Sequence, residues 1–437
     1  MGDHWQITIP RSTISLSPSC GSIVALRDGR LMLAWGQGGG DPPRAVMANH
    51  SEDGGRSWSA AQPLKLDSGA DLVAVVAPQL LRLASGDLGL VVSIWPRGVP
   101  WFESFTQMLF HLSRDEGVTW SQGVPINQNN GFTLAETTGA VDGLVQLESG
   151  RLVVSAAKAM GAIPDKLKLI VEDEFGEPMV AGLADRLVHS YAYYSDDEGR
   201  TWSRSMNEVH ASLEHGLGGA FTMGEPRVVE LADGRLLLMA WTPLGRLFRS
   251  YSDDRGETWR HAWPTDLATR IGGCFALERI PDSSDLLVIW CQLSRLESMQ
   301  GLYRHRLSTA ISRDDGVSWQ HHRNLVSLDD VTRIDPGPMV HWLTAAVARQ
   351  PVDRQRYHRA PGPLRNDHVY CTFHEGEALI VHGQGVLGDR AVIEGTYGMD
   401  WDALAESFGF EPNPGKANSV LGSNREHIVP ISWFYGE

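Results

Sequence analysis

SDDEGRTW (195–202) is the stretch on which the fold turns, because it returns four more times with the same fixed letters. SEDGGRSW (51–58), SRDEGVTW (113–120), SDDRGETW (252–259) and SRDDGVSW (312–319) all obey S-x-D-x-G-x-[ST]-W. Their starts lie 62, 82, 57 and 60 residues apart. The chemistry of one copy explains the repetition. The Asp accepts hydrogen bonds from backbone N–H groups within the turn, and the Gly permits a left-handed backbone. The Trp leaves the turn to pack on what precedes it.

A second repeat lies upstream of each copy. SIVALRDGRLMLAW (22–35), QLLRLASGDLGLVVS (79–93), GLVQLESGRLVVSAA (143–157), RVVELADGRLLLMAW (227–241), ALERIPDSSDLLVIW (276–290) and VYCTFHEGEALIVHG (369–383) each read as strand, tight polar turn, strand. The first five are followed by the turn motif and the sixth is not. Six such units, each closing a four-stranded antiparallel blade, predict an all-β, six-bladed β-propeller carrying five motif turns. The reading takes residues 1–437 as one propeller domain. It places an insertion at about 160–188 in blade 3, a long loop at about 329–366, and an extension at about 386–437. Ring closure needs a terminal strand, for which WQITIP (5–10) and HIVPISWFY (427–435) are the candidates. WDALAESFGF (401–410) reads as the one regular helix.

Composition fits this picture and narrows the partners. The chain has 437 residues, 46 of them Gly and 15 Trp, as short strands and tight turns require. Its formal charge of −15 disfavours a phosphate backbone, so nucleic acid is not expected as a partner. No run reaches the ~18 apolar residues of a membrane span, and MGDHWQITIP (1–10) lacks the features of a signal peptide. A cytoplasmic protein without membrane contact is the expectation. Four cysteines without a CxxC pair suit buried thiols better than a disulfide framework.

In propellers, ligands bind where the innermost strands begin. Aligning the six hairpins on their turns and counting nine residues back gives Cys20, Ala77, Val141, Glu225, Phe275 and Asp367. Glu225 and Asp367 therefore bring carboxylates from blades 4 and 6 to one mouth, and Asp142 adds a third from blade 3. His368, His374 and His382 share strand parity and would face one side, but their spacing matches no recognised ligand pattern, and no metal site or cofactor is expected.

The repeated turn is the Asp-box, and over roughly residues 5–385 the chain resembles the sialidases and their propeller relatives. The resemblance makes the box residues Asp53, Asp115, Asp197, Asp254 and Asp314 structural, on the outer rim. It also implies a retaining exo-glycosidase for a terminal acidic sugar: a Tyr nucleophile polarised by a Glu, an Asp acid/base, and three arginines gripping the substrate carboxylate. Matched segment by segment, it puts the Glu at Glu225 in GEPRVVELADGRL (224–236), the Asp at Asp41 in WGQGGGDPP (35–43), and the Tyr at Tyr370 in NDHVYCTFHEGEALIVHG (366–383). The arginines match less well. Thr8 stands in the first position, with Arg11 after the proline. Trp241 stands in the second, with Arg246 or Arg249 nearby. Arg304 and Arg306 offer the third. The expected partner is a small glycan or glycoside. A propeller that binds carbohydrate or protein without chemistry, or a hydrolase or lyase for another sugar acid, stays open.

Overall fold

The computed structural model describes residues 5–9, 21–36, 45–66, 75–94, 106–128, 133–138, 143–160, 169–172, 178–181, 188–212, 219–270, 272–295, 297, 304–327, 329–339, 364–386 and 421–436. Each repeat of the sequence becomes one antiparallel blade. Blade 1 runs outward as Ser22–Ala25, Leu31–Gly36, Val46–Ser51, Gln62–Pro63. Blade 2 runs Val75–Arg82, Leu88–Ile94, Gln107–Ser113, Val124–Pro125. In blade 3, Leu144–Gln146 and Thr133–Thr138 both pair with Leu152–Met160, followed by Val188–Ser195 and Ser203–Arg204. Blade 4 is Gly224–Glu230, Leu236–Trp241, Arg246–Ser252, Trp263–Ala268, and blade 5 is Phe275–Arg279, Leu286–Cys291, Leu307–Ser312, Gln320–Val326.

Blade 6 is completed from both ends of the chain. Leu364–His374, Glu377–Val386 and Leu421–Pro430 come late, and Trp5–Ile9 adds the outermost strand with Trp5 opposite Ile428. Both candidate closing segments therefore take part, in the same sheet. Within the stretch read as an insertion, Leu169–Glu172 pairs with Pro178–Ala181. Of the stretch 329–366 read as a loop, 329–339 carry no helix or strand, 340–363 lie outside the described residues, and 364–366 already belong to the strand Leu364–His374; 401–410 also lies outside the described residues. No helix among those described is long and apolar enough to cross a membrane.

The inner strands touch in the order 1–2–3–4–5–6 and back to 1, so the ring is closed. The core is divided accordingly into six apolar clusters, one between each pair of neighbouring blades. Val, Leu and Ile fill both faces of second strands such as LLLMAW (236–241) and LLVIWC (286–291), which are buried throughout. Strands sandwiched on both faces read as continuous apolar runs.

The five motif turns are built alike. In the third, Ser195 Oγ donates to Asp197 Oδ1 (2.8 Å), and Asp197 accepts from the Thr201 amide (2.9 Å) and hydroxyl (2.6 Å). The hydroxyl and amide of Thr119 likewise hold Asp115 below the usual carboxylate range. Gly199, at φ 84°, lies against the Phe110 ring of blade 2, which a Cβ would meet at 2.3 Å. The boxes thus serve the turns and the seams between blades. Strand register puts them at the far end from the strand starts. Ser252 is level with Leu236 and Glu230, while Trp241 is level with Gly224, about 17 Å away at ~3.3 Å per residue.

Candidate active site at the axial mouth

The inner strand of blade 4 does not begin regularly. Gly224 pairs with Trp241 and Arg227 with Met239, so Glu225 and Pro226 are skipped by the register. Such a bulge re-aims a side chain. Glu225 takes φ 49°, a left-handed backbone that a non-glycine residue adopts at a cost of ~1–3 kcal/mol. Gly224 is required beside it, because a Cβ there would stand 2.4 Å from the Trp241 ring. Blade 6 repeats the device: register jumps from Asn366 to Val369 and skips Asp367 and His368. In blade 2 it jumps from Val76 to Gln79.

The two bulges turn their residues toward each other. His368 Nδ1 lies 4.0 Å from Glu225 Oε2 and 3.7 Å from Cys274 Sγ, at the start of blade 5. Cys274 is buried, with 1 % exposure, whereas the side chains of Glu225 and His368 keep 29 % and 20 %. Glu225 Oε2 itself is buried and has no hydrogen-bond partner among the described residues. Arg304 joins this group through a shared acceptor. Its Nη2 donates to the Gly272 carbonyl at 2.5 Å, and Cys274 Sγ reaches the same oxygen at 3.8 Å. Arg304 also has a left-handed backbone (φ 46°), and its carbonyl accepts from the Asn366 amide (2.9 Å) and Asn366 Nδ2 (3.0 Å). Blades 4, 5 and 6 thereby present a carboxylate, a thiol, an imidazole and a guanidinium in one connected cluster.

Other expected site residues are placed differently. Tyr370 is a correction. Its ring belongs to the apolar cluster between blades 6 and 1, with Ile23, Leu33 and Leu379. Its hydroxyl donates to the Ile23 carbonyl at 2.8 Å. Burial, with Glu278 adding to it, pushes the phenol well above its ordinary pKa. A phenol so held is a seam residue, without the access a nucleophile needs. The strand tyrosine matched the motif, but the bulge delivers His368 to the mouth instead. Arg306 is a second correction. Its side chain is fully buried and bound to Glu297 (2.8 Å) and Asp329 (2.5 Å), so its guanidinium is already committed. Arg246 donates to the Gly337 carbonyl and to Thr265 O (3.4 Å), tying the 329–339 segment to blade 4. Phe275 packs between blades 4 and 5. Asp41, Arg11 and Asp142 lie outside the described residues, as does the side chain of Asp367.

The shared parity of the three histidines is also broken by the bulge. His368 faces Glu225, His374 sits beside Glu375 (4.0 Å), and His382 is buried against His427 with Nε2 atoms 2.9 Å apart. The sequence reading missed Cys274 and His368 as site residues. The signal was close at hand: each is one residue from a position that the hairpin alignment selected.

Comparison with known proteins agrees with the fold. The BNR repeat-like domain model matches residues 17–156 and 135–333. No curated protein sequence matches the chain. Among solved structures, a protein of unknown function from Dyadobacter fermentans DSM 18053 is 15% identical, covering 96% of this chain and 97% of its own, at a TM-score of 0.55. A leech intramolecular trans-sialidase complexed with 2,7-anhydro-Neu5Ac is 12% identical over 96% of this chain and 69% of its own, at 0.56. The Trypanosoma rangeli sialidase is 13% identical over 96% of this chain, which spans only 55% of that longer protein, at 0.53. With five Asp-box turns, a closed ring of six blades and a repeat model covering most of its length, the chain belongs to the BNR repeat-like domain family.

Proposed function

We propose that the protein recognises and cleaves a terminal sugar acid on a glycan at the mouth formed by blades 4, 5 and 6. The observation that carries this reading is Glu225, turned out of its strand by a bulge and facing His368 with one oxygen buried. A strained backbone holding a carboxylate at a ligand-binding end is what a working residue looks like. Arg304 supplies a guanidinium fork for the substrate carboxylate. Asp41 remains the proposed proton donor, Glu225 the carboxylate that acts at the reacting carbon, and Asp142 and Asp367 its neighbours at the rim. Tyr370 has no part in the reading. Sialidases among the structural neighbours support a sialic-acid-type sugar as the first to try.

The seam position of Tyr370 favours one further reading: the same mouth binds an acidic sugar and does not hydrolyse it. A panel of chromogenic glycosides, sialosides included, separates the two when read alongside calorimetric binding of the free sugar acids. Turnover lost in both Glu225→Gln and Arg304→Met supports cleavage. Binding without turnover, weakened in Arg304→Met, supports the second reading. Neither binding nor turnover of any sugar acid rejects both.

A further inference from the structure

We infer that Glu225, Cys274 and His368 form a binding site for one divalent transition-metal ion, with zinc the best fit. Each residue offers one ligand atom, and the three atoms lie within 4.8 Å of one another. In a tetrahedral zinc site the bonds are about 2.0–2.3 Å, which puts neighbouring ligand atoms about 3.3–3.6 Å apart. The observed Cys274–His368 separation of 3.7 Å is close to that value, the His368–Glu225 separation of 4.0 Å is about 0.7 Å wider, and the third pair lies within 4.8 Å.

The way the contacts converge decides between a metal site and a catalytic relay. A Cys–His–Glu relay needs the acid on the ring nitrogen opposite the thiol. Here both Cys274 Sγ and Glu225 Oε2 approach the same atom, His368 Nδ1. Three donors facing a common point suit a cation between them. The thiolate and imidazole select a borderline-soft ion and disfavour magnesium or calcium. Three protein ligands leave one coordination position, as in metal sites that take an exchangeable ligand, and the partly exposed Glu225 and His368 side chains give solvent access to it. Glu225 explains itself on this reading. Its left-handed backbone places Oε2 in a buried spot where no described residue hydrogen-bonds to it. Carboxylate bound through one oxygen keeps the other for a sugar.

A second grouping, Glu297, His305 and Asp329, is geometrically similar. Arg306 already occupies it, bridging both carboxylates, so a cation would have to displace a buried guanidinium. That grouping serves as the control.

The inference shares its location with the glycan reading but is tested without sugar, so either can fail alone. The full-length chain, stripped with chelator, is titrated with Zn²⁺ by calorimetry and with Co²⁺ by absorption. The expected result is one equivalent bound, with a thiolate-to-cobalt charge-transfer band and the visible bands of a tetrahedral ion. Cys274→Ser abolishes the charge-transfer band. Cys274→Ser and His368→Gln each weaken binding by about 100-fold or more, beyond the ~10–100-fold that losing an outer partner costs. His305→Ala leaves binding unchanged. His368 is partly exposed, so His368→Gln carries the test should Cys274→Ser fail to fold. An octahedral cobalt spectrum without the thiolate band, or parent-like affinity in His368→Gln, overturns the inference.

Discussion

Trp58 Nε1 donates a 2.6 Å hydrogen bond to Glu426 Oε2, joining the Asp-box of blade 1 to the third strand of blade 6. This bond spans the seam where the ring closes, and its acceptor is almost wholly buried. Burial raises Glu426 to about 8, far above the usual carboxylate range, with the Trp58 bond opposing the rise.

The raised value fixes the sign of a pH effect. Glu426 is protonated more readily folded than unfolded, so its contribution to stability is fully present below about 4.5. It is lost as pH rises through about 8. Glu426→Gln keeps an acceptor for Trp58 and removes the titration. At pH 9 the variant should melt above the parent, by an amount on the order of a few kcal/mol. Equal midpoints at pH 9, measured by calorimetry, would show that the carboxyl is not strained there.

His382 predicts the opposite trend in acid. It is buried, stacked on His427 with ring centroids 5.1 Å apart, and lowered to about 4 by burial. The two Nε2 atoms share a single hydrogen, so protonating both rings breaks their bond and buries charge. Stability from this pair is present above about 6.5 and lost as pH falls through about 4. In a Glu426→Gln background, which removes the competing carboxyl, the melting midpoint should fall over that window. His382→Asn should flatten the fall, and an unaltered pH profile in that double variant counts against the assignment.

Tyr370→Phe separates packing from chemistry. Removing the hydroxyl leaves the Ile23 carbonyl without that bond, at about 1–3 kcal/mol of stability. Sugar binding and any turnover should stay at the parent level, in contrast to Glu225→Gln. Loss of turnover with unchanged melting would instead return Tyr370 to the reaction.

Gly224→Ala forces a Cβ into the Trp241 ring, 2.4 Å away, beside the residue that the bulge positions. Overpacking of this kind costs about 1–3 kcal/mol. Both melting temperature and ligand affinity should drop, and Gly224→Ala/Trp241→Leu should recover part of each. A fully parent-like single variant would mean that Trp241 moves aside freely.

Arg304 and Arg306 are two residues apart and should behave differently. Arg306→Met strands Glu297 beside a partly exposed Asp329 and costs about 3 kcal/mol, the lower end for a broken buried pair. Arg304→Met should lower affinity for a sugar acid and change the melting point less. Thermal melts paired with calorimetric titration check the contrast; reversed effects would exchange their roles.

The blades were legible in the sequence because the physics that makes them is local. A turn needing a left-handed residue must show Gly or a polar stand-in, as at Gly29, Gly86, Gly150 and Gly234. A strand buried on both faces must read as an apolar run. All six hairpins follow from this, and the distance from its turn puts Glu225 at the start of its strand, where the bulge lies. The mouth was less legible because it depends on bulges. A skipped pair of residues breaks the alternation on which parity arguments rest, which is why His368 was grouped with His374 and His382. Tyr370 and Arg306 matched by position along the chain, yet whether a side chain meets the channel or the neighbouring blade is settled by packing between segments far apart. Cys274 read as a small buried hydrophobe, and it is one; its contact with His368 needs the neighbouring blade to be seen.

The pairing of Trp5–Ile9 with Leu421–Pro430 bears on biosynthesis. Trp5–Ile9 is synthesised hundreds of residues before the strand it pairs with, so it stays an open, adhesive edge until that partner emerges. Imidazole donor His368 is likewise delivered with the last blade. A chain released before blade 6 is made would lack both the closing strands and His368, leaving quality-control proteases an open ring.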